Sequence, residues 1–279
     1  MKINTTFRYP TALTIAGSDS GGGAGIQADI KTFSALGVYG TSVITSVTAQ
    51  NTLGVRGIQA IAPEIVKGQI DAVFEDIKID AIKIGMLHNR ETAYIVVDAI
   101  DKFALTNIVL DPVMISTSGS KLIEDETIEV IVGELFKRVT LITPNIDEAI
   151  SLSGINISNE QDMEKAGRKL LDMGCRAVLI KGGHLLKDEM ADIFLIRGQK
   201  PLRLTTKTIQ TQNSHGTGCT LSSAIAAYLA QGKELEEAVS LSKTYITEAI
   251  RSGANVITGH GHGPLNHFFS PSPLTLIKI

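Results

Sequence analysis

The sequence predicts an α/β fold: a three-layer αβα sandwich with a mostly parallel central sheet between two helical layers. Three observations predict it. Short apolar, β-branched runs alternate with helical periodicity along the chain. Those runs are apolar throughout rather than alternating with polar residues, which strands covered on both faces require. No Pro/Ser-rich linker, charge block or repeat divides the 279 residues, so one domain over 1–279 is expected.

The elements follow in order. ALTIAG (12–17) reads as a buried strand, and the next stretch carries Ile26, Ile30 and Phe33 at helical spacing. TSVITSVTAQ (41–50) is strand-like, and 64–77 is a helix with Ile70, Val73, Phe74 and Ile77 on one face. AIKIGM (81–86) is a strand, followed by a helix near 90–103. NIVLDPV (107–113), VTLITPN (139–145) and AVLIKGG (177–183) are further short strands. Ser158 to Gln161 carries a capping-box pattern opening a helix over 159–173, closed by Gly174. DIFLIRG and PLRLTT form a hairpin over 192–206, and two helices over 217–231 and 234–252 complete the order.

Composition bounds the function. Hydrophobic residues make up 43% and the net charge is −3, which excludes a broadly basic nucleic-acid or anionic-membrane surface. Cys175 and Cys219 have neither metal-ligand nor disulfide-framework spacing and suit a reducing compartment. The N-terminus lacks an apolar leader and no run approaches a membrane span, so a cytoplasmic protein is expected.

In parallel sheets ligands bind beyond the carboxyl ends of the strands. Those positions hold GSDSGGGAG (17–25) with Asp19 and Asp29 nearby, then Gln50, Asn51, Gly85, Met86 and His88. Further along come Asp111-Pro112-Val113, Asn145 with Glu148 three residues on, and Lys181-Gly182-Gly183-His184. Together they read as a polar pocket with two glycine nests. Neither a P-loop nor a G-x-G-x-x-G fingerprint is present.

The stretch Thr211–Gly232, TQNSHGTGCTLSSAIAAYLAQG, says most about chemistry. Leu221, Ile225, Tyr228 and Leu229 mark a helix, so Gly216, Thr217, Gly218 and Cys219 lie at its N-terminus. Free N–H groups and the helix dipole favour an anion there, and two glycines let it approach. Cys219 faces that anion or is a small buried residue at a helix entry. A nest, a lysine and carboxylates suit phosphoryl transfer.

AGSDSGGGAGIQADIKTFSALGVYGTSVITSVTAQNT, KIGM, LDPVM, LITPNIDEA, KGGH, NSHGTGCTLSSAIAAYL and GHGPLNHF resemble hydroxymethylpyrimidine/phosphomethylpyrimidine kinase of the ribokinase-like superfamily, over residues 12–269. The resemblance implies a ribokinase-like sandwich without a large lid, a homodimer, and two successive ATP-dependent phosphorylations on the thiamin pathway. The acceptors it implies are 4-amino-5-hydroxymethyl-2-methylpyrimidine and its monophosphate. It further implies that Gln50 holds the pyrimidine edge while Gly17, Asp29, Met86 and Val113 line its pocket. Lys181 would meet the ATP phosphates. Asn145 and Glu148 would organise Mg²⁺, with Asp111 close by. The N–H groups of Gly216 to Cys219 would receive the transferring phosphoryl group. Cys219 would stand where sugar kinases carry an aspartate base, its pKa lowered by the helix N-terminus and raised again by phosphate. Residues 116–120 are uncharged where the family often carries charge. Rival readings are a pyridoxine/pyridoxal kinase, a Cys/His hydrolase using His215 and Cys219, and a non-catalytic precursor-binding protein.

Overall fold

The computed structural model describes residues 7–114, 122–183 and 188–279. The chain runs β1 (Phe7–Arg8), β2 (Thr11–Asp19), α1 (Gly25–Ala35), β3 (Tyr39–Asn51), β4 (Gly54–Ala60), α2 (Pro63–Asp76), β5 (Ala81–Ile84) and α3 (Arg90–Lys102). It continues through β6 (Ile108–Leu110), α4 (Asp125–Val130) with a π-helical turn (Ile131–Leu135), β7 (Leu141–Ile142), α5 (Ile146–Ser153) and α6 (Glu160–Asp172). β8 (Ala177–Ile180), β9 (Glu189–Ile196), β10 (Leu202–Lys207), α7 (Thr217–Ala230), α8 (Leu235–Gly253) and β11 (Ile277–Lys278) follow.

Among the described residues, nine strands form one sheet in the order β10-β9-β8-β7-β6-β5-β2-β3-β4. The inner strands from β8 to β3 pair in parallel, while β4 at one margin and β9 at the other run antiparallel to them, and β10 pairs antiparallel with β9. The β9–β10 hairpin matches the sequence reading. β4 has no counterpart in that reading, because GVRGIQA is half polar and lies at an edge.

Strand alternation sorts the core into two layers. Leu13, Ile15, Ile82, Ile84, Ile108, Leu110, Val178 and Ile180 join one cluster with residues of α2 to α6. Ala12, Ala81, Val109, Leu141, Ala177 and Leu179 join the other, with α1, α7 and α8. α7 is the inner helix of that second layer. Its residues Thr220–Ala227 are all buried, so the single apolar stripe read from the sequence understates its burial. Gly232, at φ 82°, takes the left-handed position just past its end.

Helix α6 opens one register away from the expected box. Asn159 is the cap, its side chain accepting from Asp162 N at 3.0 Å. Asp162 rather than Gln161 reaches back, accepting from Ser158 Oγ at 2.8 Å. Among the described residues, no helix is long and apolar enough to cross a membrane.

The chain enters the sheet at β2, extends to β3 and β4 on one side, then returns through α2 to β5 on the other. The carboxyl ends of β2 and β5 therefore flank the point where strand order reverses, which is where an open parallel sheet leaves a crevice.

Candidate active site

A cavity of about 320 Å³ opens at that point. Gly17, Gln50, Met86, Val113, Asp111, Asn145, Glu148, Lys181 and residues Ser214 to Cys219 line it, so most of the expected rim converges. His184 and residues 116–120 lie outside the described residues.

The first glycine-rich turn corrects an expectation. It reads in sequence as an anion nest, but the chain fills that nest itself. Asp19 accepts from Gly21 N at 2.8 Å, Gly23 N at 3.0 Å and Ala24 N at 2.8 Å. His215 Nε2 lies 2.8 Å from the same carboxylate. Burial pushes the Asp19 pKa up, yet the bonds from His215, Ala24 and Gly21 prevail and hold it below the usual carboxylate value. Gly25 is needed next to this turn, where φ is 56° and a Cβ would stand 2.3 Å from Gly17 O.

The second nest is open. Gly216 caps α7 at φ 85°, and no side chain caps the helix. Thr220 N donates to Gly216 O at 2.9 Å and Thr217 N to Ser214 O at 3.3 Å. Gly218 and Cys219 N–H have no acceptor among the described residues, which is the helix-terminus arrangement that favours an anion. A Cβ on Gly218 would lie 3.2 Å from Lys181 Nζ, so the helix end and the lysine face one space.

Lys181 pairs with Asp111 at 2.7 Å, and Thr143 Oγ1 donates to the same Asp111 oxygen at 3.0 Å. Burial raises the Asp111 pKa, but Lys181 and Lys83 outweigh it and keep the group ionised. Asp111, expected near a metal, is thus the counter-ion of Lys181. Asn145 and Glu148, expected around Mg²⁺, form a reciprocal cap on α5. Asn145 Oδ1 accepts from Glu148 N at 2.9 Å, and Glu148 Oε2 from Asn145 N at 2.8 Å. The Glu148 pKa is pushed up to about 7, mainly by burial and by Asp111 against the pull of Lys181.

Asp29 needs correction. It does not line the cavity but lies fully buried behind its wall, accepting from Thr14 Oγ1 at 2.6 Å, Ser223 Oγ at 2.6 Å and Lys83 Nζ at 2.9 Å. Lys83 does line the cavity, and the sequence reading passes over it, although a lone lysine inside the apolar run AIKIG is a visible signal. Cys219 lines the cavity, but its thiol is pushed up to about 11, because burial outweighs the pull of Lys83. The thiol form therefore predominates at neutral pH, and the expected partial thiolate is a small minority. His215 is committed to Asp19, with the Gln50 amide 3.3 Å from its Nε2. The Cys/His hydrolase reading loses its base.

A switch-point cleft with an uncapped helix end beside a buried lysine and carboxylates is the layout of a ribokinase-like phosphotransferase. A solved structure of the pyridoxal kinase from Staphylococcus aureus, in complex with AMP-PCP and pyridoxal, superposes with a TM-score of 0.86 at 32% identity, over 98% of this chain and 100% of that one. The family profile described as phosphomethylpyrimidine kinase matches residues 19–266, and the chain belongs to that family. The hydroxymethylpyrimidine/phosphomethylpyrimidine kinase of Rhizobium meliloti is 48% identical, with 92% of this chain and 96% of that protein aligned. The thiamine biosynthesis bifunctional protein ThiED of Geobacter sulfurreducens is 49% identical over 95% of this chain, which spans 53% of that protein's length.

Proposed function

We propose that the protein transfers the γ-phosphoryl group of ATP to the hydroxymethyl oxygen of 4-amino-5-hydroxymethyl-2-methylpyrimidine, and then phosphorylates the resulting monophosphate to the diphosphate. The observation that carries this reading is the open helix end at Gly218 and Cys219 beside Lys181, in the cavity that also holds Gln50 and Met86. An O–P bond forms from the acceptor oxygen to the γ-phosphorus, the bridging P–O bond to the β-phosphate breaks, and ADP leaves. The N–H groups of Gly218 and Cys219 receive charge on the equatorial oxygens. Lys181 turns from Asp111 to the phosphates. Gln50 orients the ring edge, with Gly17, Met86 and Val113 against its faces. Cys219, in its minor deprotonated form, takes the hydroxyl proton; a loose transition state asks little of that base.

Among the described residues, no group of three His, Cys, Asp or Glu side chains could hold a metal ion. Mg²⁺ would instead ride on nucleotide phosphates and water with few protein ligands, of which the cavity-lining Glu148 would be one. When bound, the ion offsets phosphate charge. A cytoplasmic homodimer, each copy one domain, completes the proposal.

The pyridoxal kinase likeness favours a second acceptor, a pyridine ring bearing the same hydroxymethyl group. ADP release with Mg-ATP decides, run in parallel on the hydroxymethylpyrimidine, its monophosphate, pyridoxine and pyridoxal. Turnover of both pyrimidines is expected. Turnover confined to the pyridoxal group replaces the acceptor, and no turnover of any of them defeats the kinase reading.

A further inference from the structure

The transfer described above gives no role to Lys83, a charged residue of the interior. Its side chain and that of its partner Asp29 are both 0% exposed, with Nζ 2.9 Å from Asp29 Oδ2. Lys83 stands in β5 between Ala81, Ile82 and Ile84, where apolar residues would serve a covered sheet. Alternation turns it to the face of α1 and α7, and register places it directly opposite Thr14 of β2. Asp29 of α1 and Ser223 of α7 complete a polar cluster inside an otherwise apolar layer.

Three details aim this cluster at the chemistry. Lys83 lines the cavity together with Asp111 and Cys219. Ser223, which holds Asp29 from α7, follows Cys219 by one helical turn and shares its face. Gly85 leaves the ammonium room, since a Cβ there would stand 2.8 Å from Lys83 Nζ. An ammonium has three donors, and among the described residues Asp29 is the one hydrogen-bond acceptor this ammonium reaches. Buried ion pairs are poor devices for stability alone, and local departures from pattern concentrate at functional sites.

We propose that Lys83 is a positioning residue for the transfer: a desolvated cation, anchored from behind by Asp29, that fixes positive potential at the Cys219 end of the cavity. This rests on the phosphotransferase reading above. The groups acting on Cys219 include Lys83 from β5, Asp29 and the Gly25 N–H from α1, Asp111 beyond β6 and Lys181 beyond β8. Burial raises the thiol's pKa most; Lys83 and the Gly25 N–H oppose it, while both aspartates add to it. Without Lys83, a proton lost at this end leaves its negative charge beside two carboxylates. Lys181 does not substitute, being engaged by Asp111 at 2.7 Å and turned toward the helix end.

The test is the rate of Cys219 alkylation by iodoacetamide in Lys83→Met, measured from pH 7 to 10 without substrate, beside kcat and KM for Mg-ATP. Cys175, fully buried, is replaced by Ser in both proteins compared. Alkylation at a given pH below 9 is expected to slow about tenfold, the effect of one pK unit. kcat should fall by a similar factor while KM for Mg-ATP stays within about twofold. An unchanged alkylation profile overturns the proposal, whatever happens to the melting temperature. If Lys83→Met does not fold, K83M/D29N removes both charges together and carries the same expectation relative to D29N. Because alkylation needs neither ATP nor acceptor, a slowed thiol in a protein inactive on all four acceptors would sink the function reading, and with it the role in transfer, and leave standing only the effect of Lys83 on the Cys219 thiol.

Discussion

Gly216→Ala tests the joint between the two glycine-rich loops. Gly216 sits at φ 85°, and a Cβ on it would stand 1.8 Å from the carbonyl oxygen of Gly23. A left-handed backbone costs a non-glycine residue about 1–2 kcal/mol. The overlap is with backbone, so the loops must part by more than about 1 Å, and crowding of that kind costs about 1–3 kcal/mol. With about 2–4 °C lost per kcal/mol in a chain near this size, the melting temperature should fall by about 4–20 °C. The same displacement moves the N–H groups of Gly218 and Cys219 off the transferring phosphoryl group, and misplacement on that scale costs about 100-fold in kcat. Gly232→Ala is the control: its φ is 82°, but no atom lies within 4 Å of the added Cβ. It should lose only the conformational share, about 2–8 °C, and keep its kcat. Differential scanning calorimetry and ADP release measure both. Equal melting temperatures and equal kcat in the two variants would refute the joint.

For Cys219, kcat should climb about tenfold per pH unit from pH 7 to 9, since the thiol is pushed up to about 11 and the deprotonated form is the proposed base. Cys219→Ala should lose most turnover, and a flat profile with near-normal turnover removes the thiol from the proton transfer. Glu148 is pushed up to about 7, so its native form binds a proton more tightly than the unfolded chain does. Its stabilising share is complete below the unfolded value near 4.5 and is lost as pH rises through about 7. Glu148→Gln should therefore melt about 2–8 °C higher than the parent at pH 8, match it at pH 4.5, and demand more Mg²⁺ for turnover; equal melting at both pH values contradicts this. Lys181→Met leaves Asp111 buried without its cation, so a lower melting temperature and at least about a tenfold higher KM for Mg-ATP are expected, and an unchanged KM removes Lys181 from the phosphates.

Much of this site could be read from the chain alone because parallel sheets put their ligands at strand ends. Gly17, Gln50, Met86, Val113, Asp111 and Lys181 all follow apolar runs, and all reach one cavity. The departures from that reading have separate physical causes. Asn145 and Glu148 carry a spacing that fits both a metal pair and a reciprocal cap, and the protein forms the cap. Asp29 is one turn into α1, and its direction depends on α7 packing across that helix, which no local pattern records. Helix-end effects on the Cys219 thiol are legible in sequence, whereas its desolvation in the folded cavity wall is not. The filled nest at Asp19 shows the same limit, since a nearby carboxylate competes with any ligand for glycine N–H groups.

The cluster behind the cavity also sets an order of events during synthesis. Ser223 trails Asp29 by 194 positions, so at about 5–20 residues per second roughly 10–40 s pass between their emergence. Lys83 follows Asp29 by 54 positions, and for the rest of that interval β2, β5, α1 and the Asp29–Lys83 pair lack the inner helix that covers them in the finished fold. The nascent chain gains its watertight interior late, when α7 slides into place, and that closing step delivers the open helix end at Gly218 and Cys219. Tightening of the core and completion of the cavity are thus one event on the ribosome, and a chain stalled before α7 has neither.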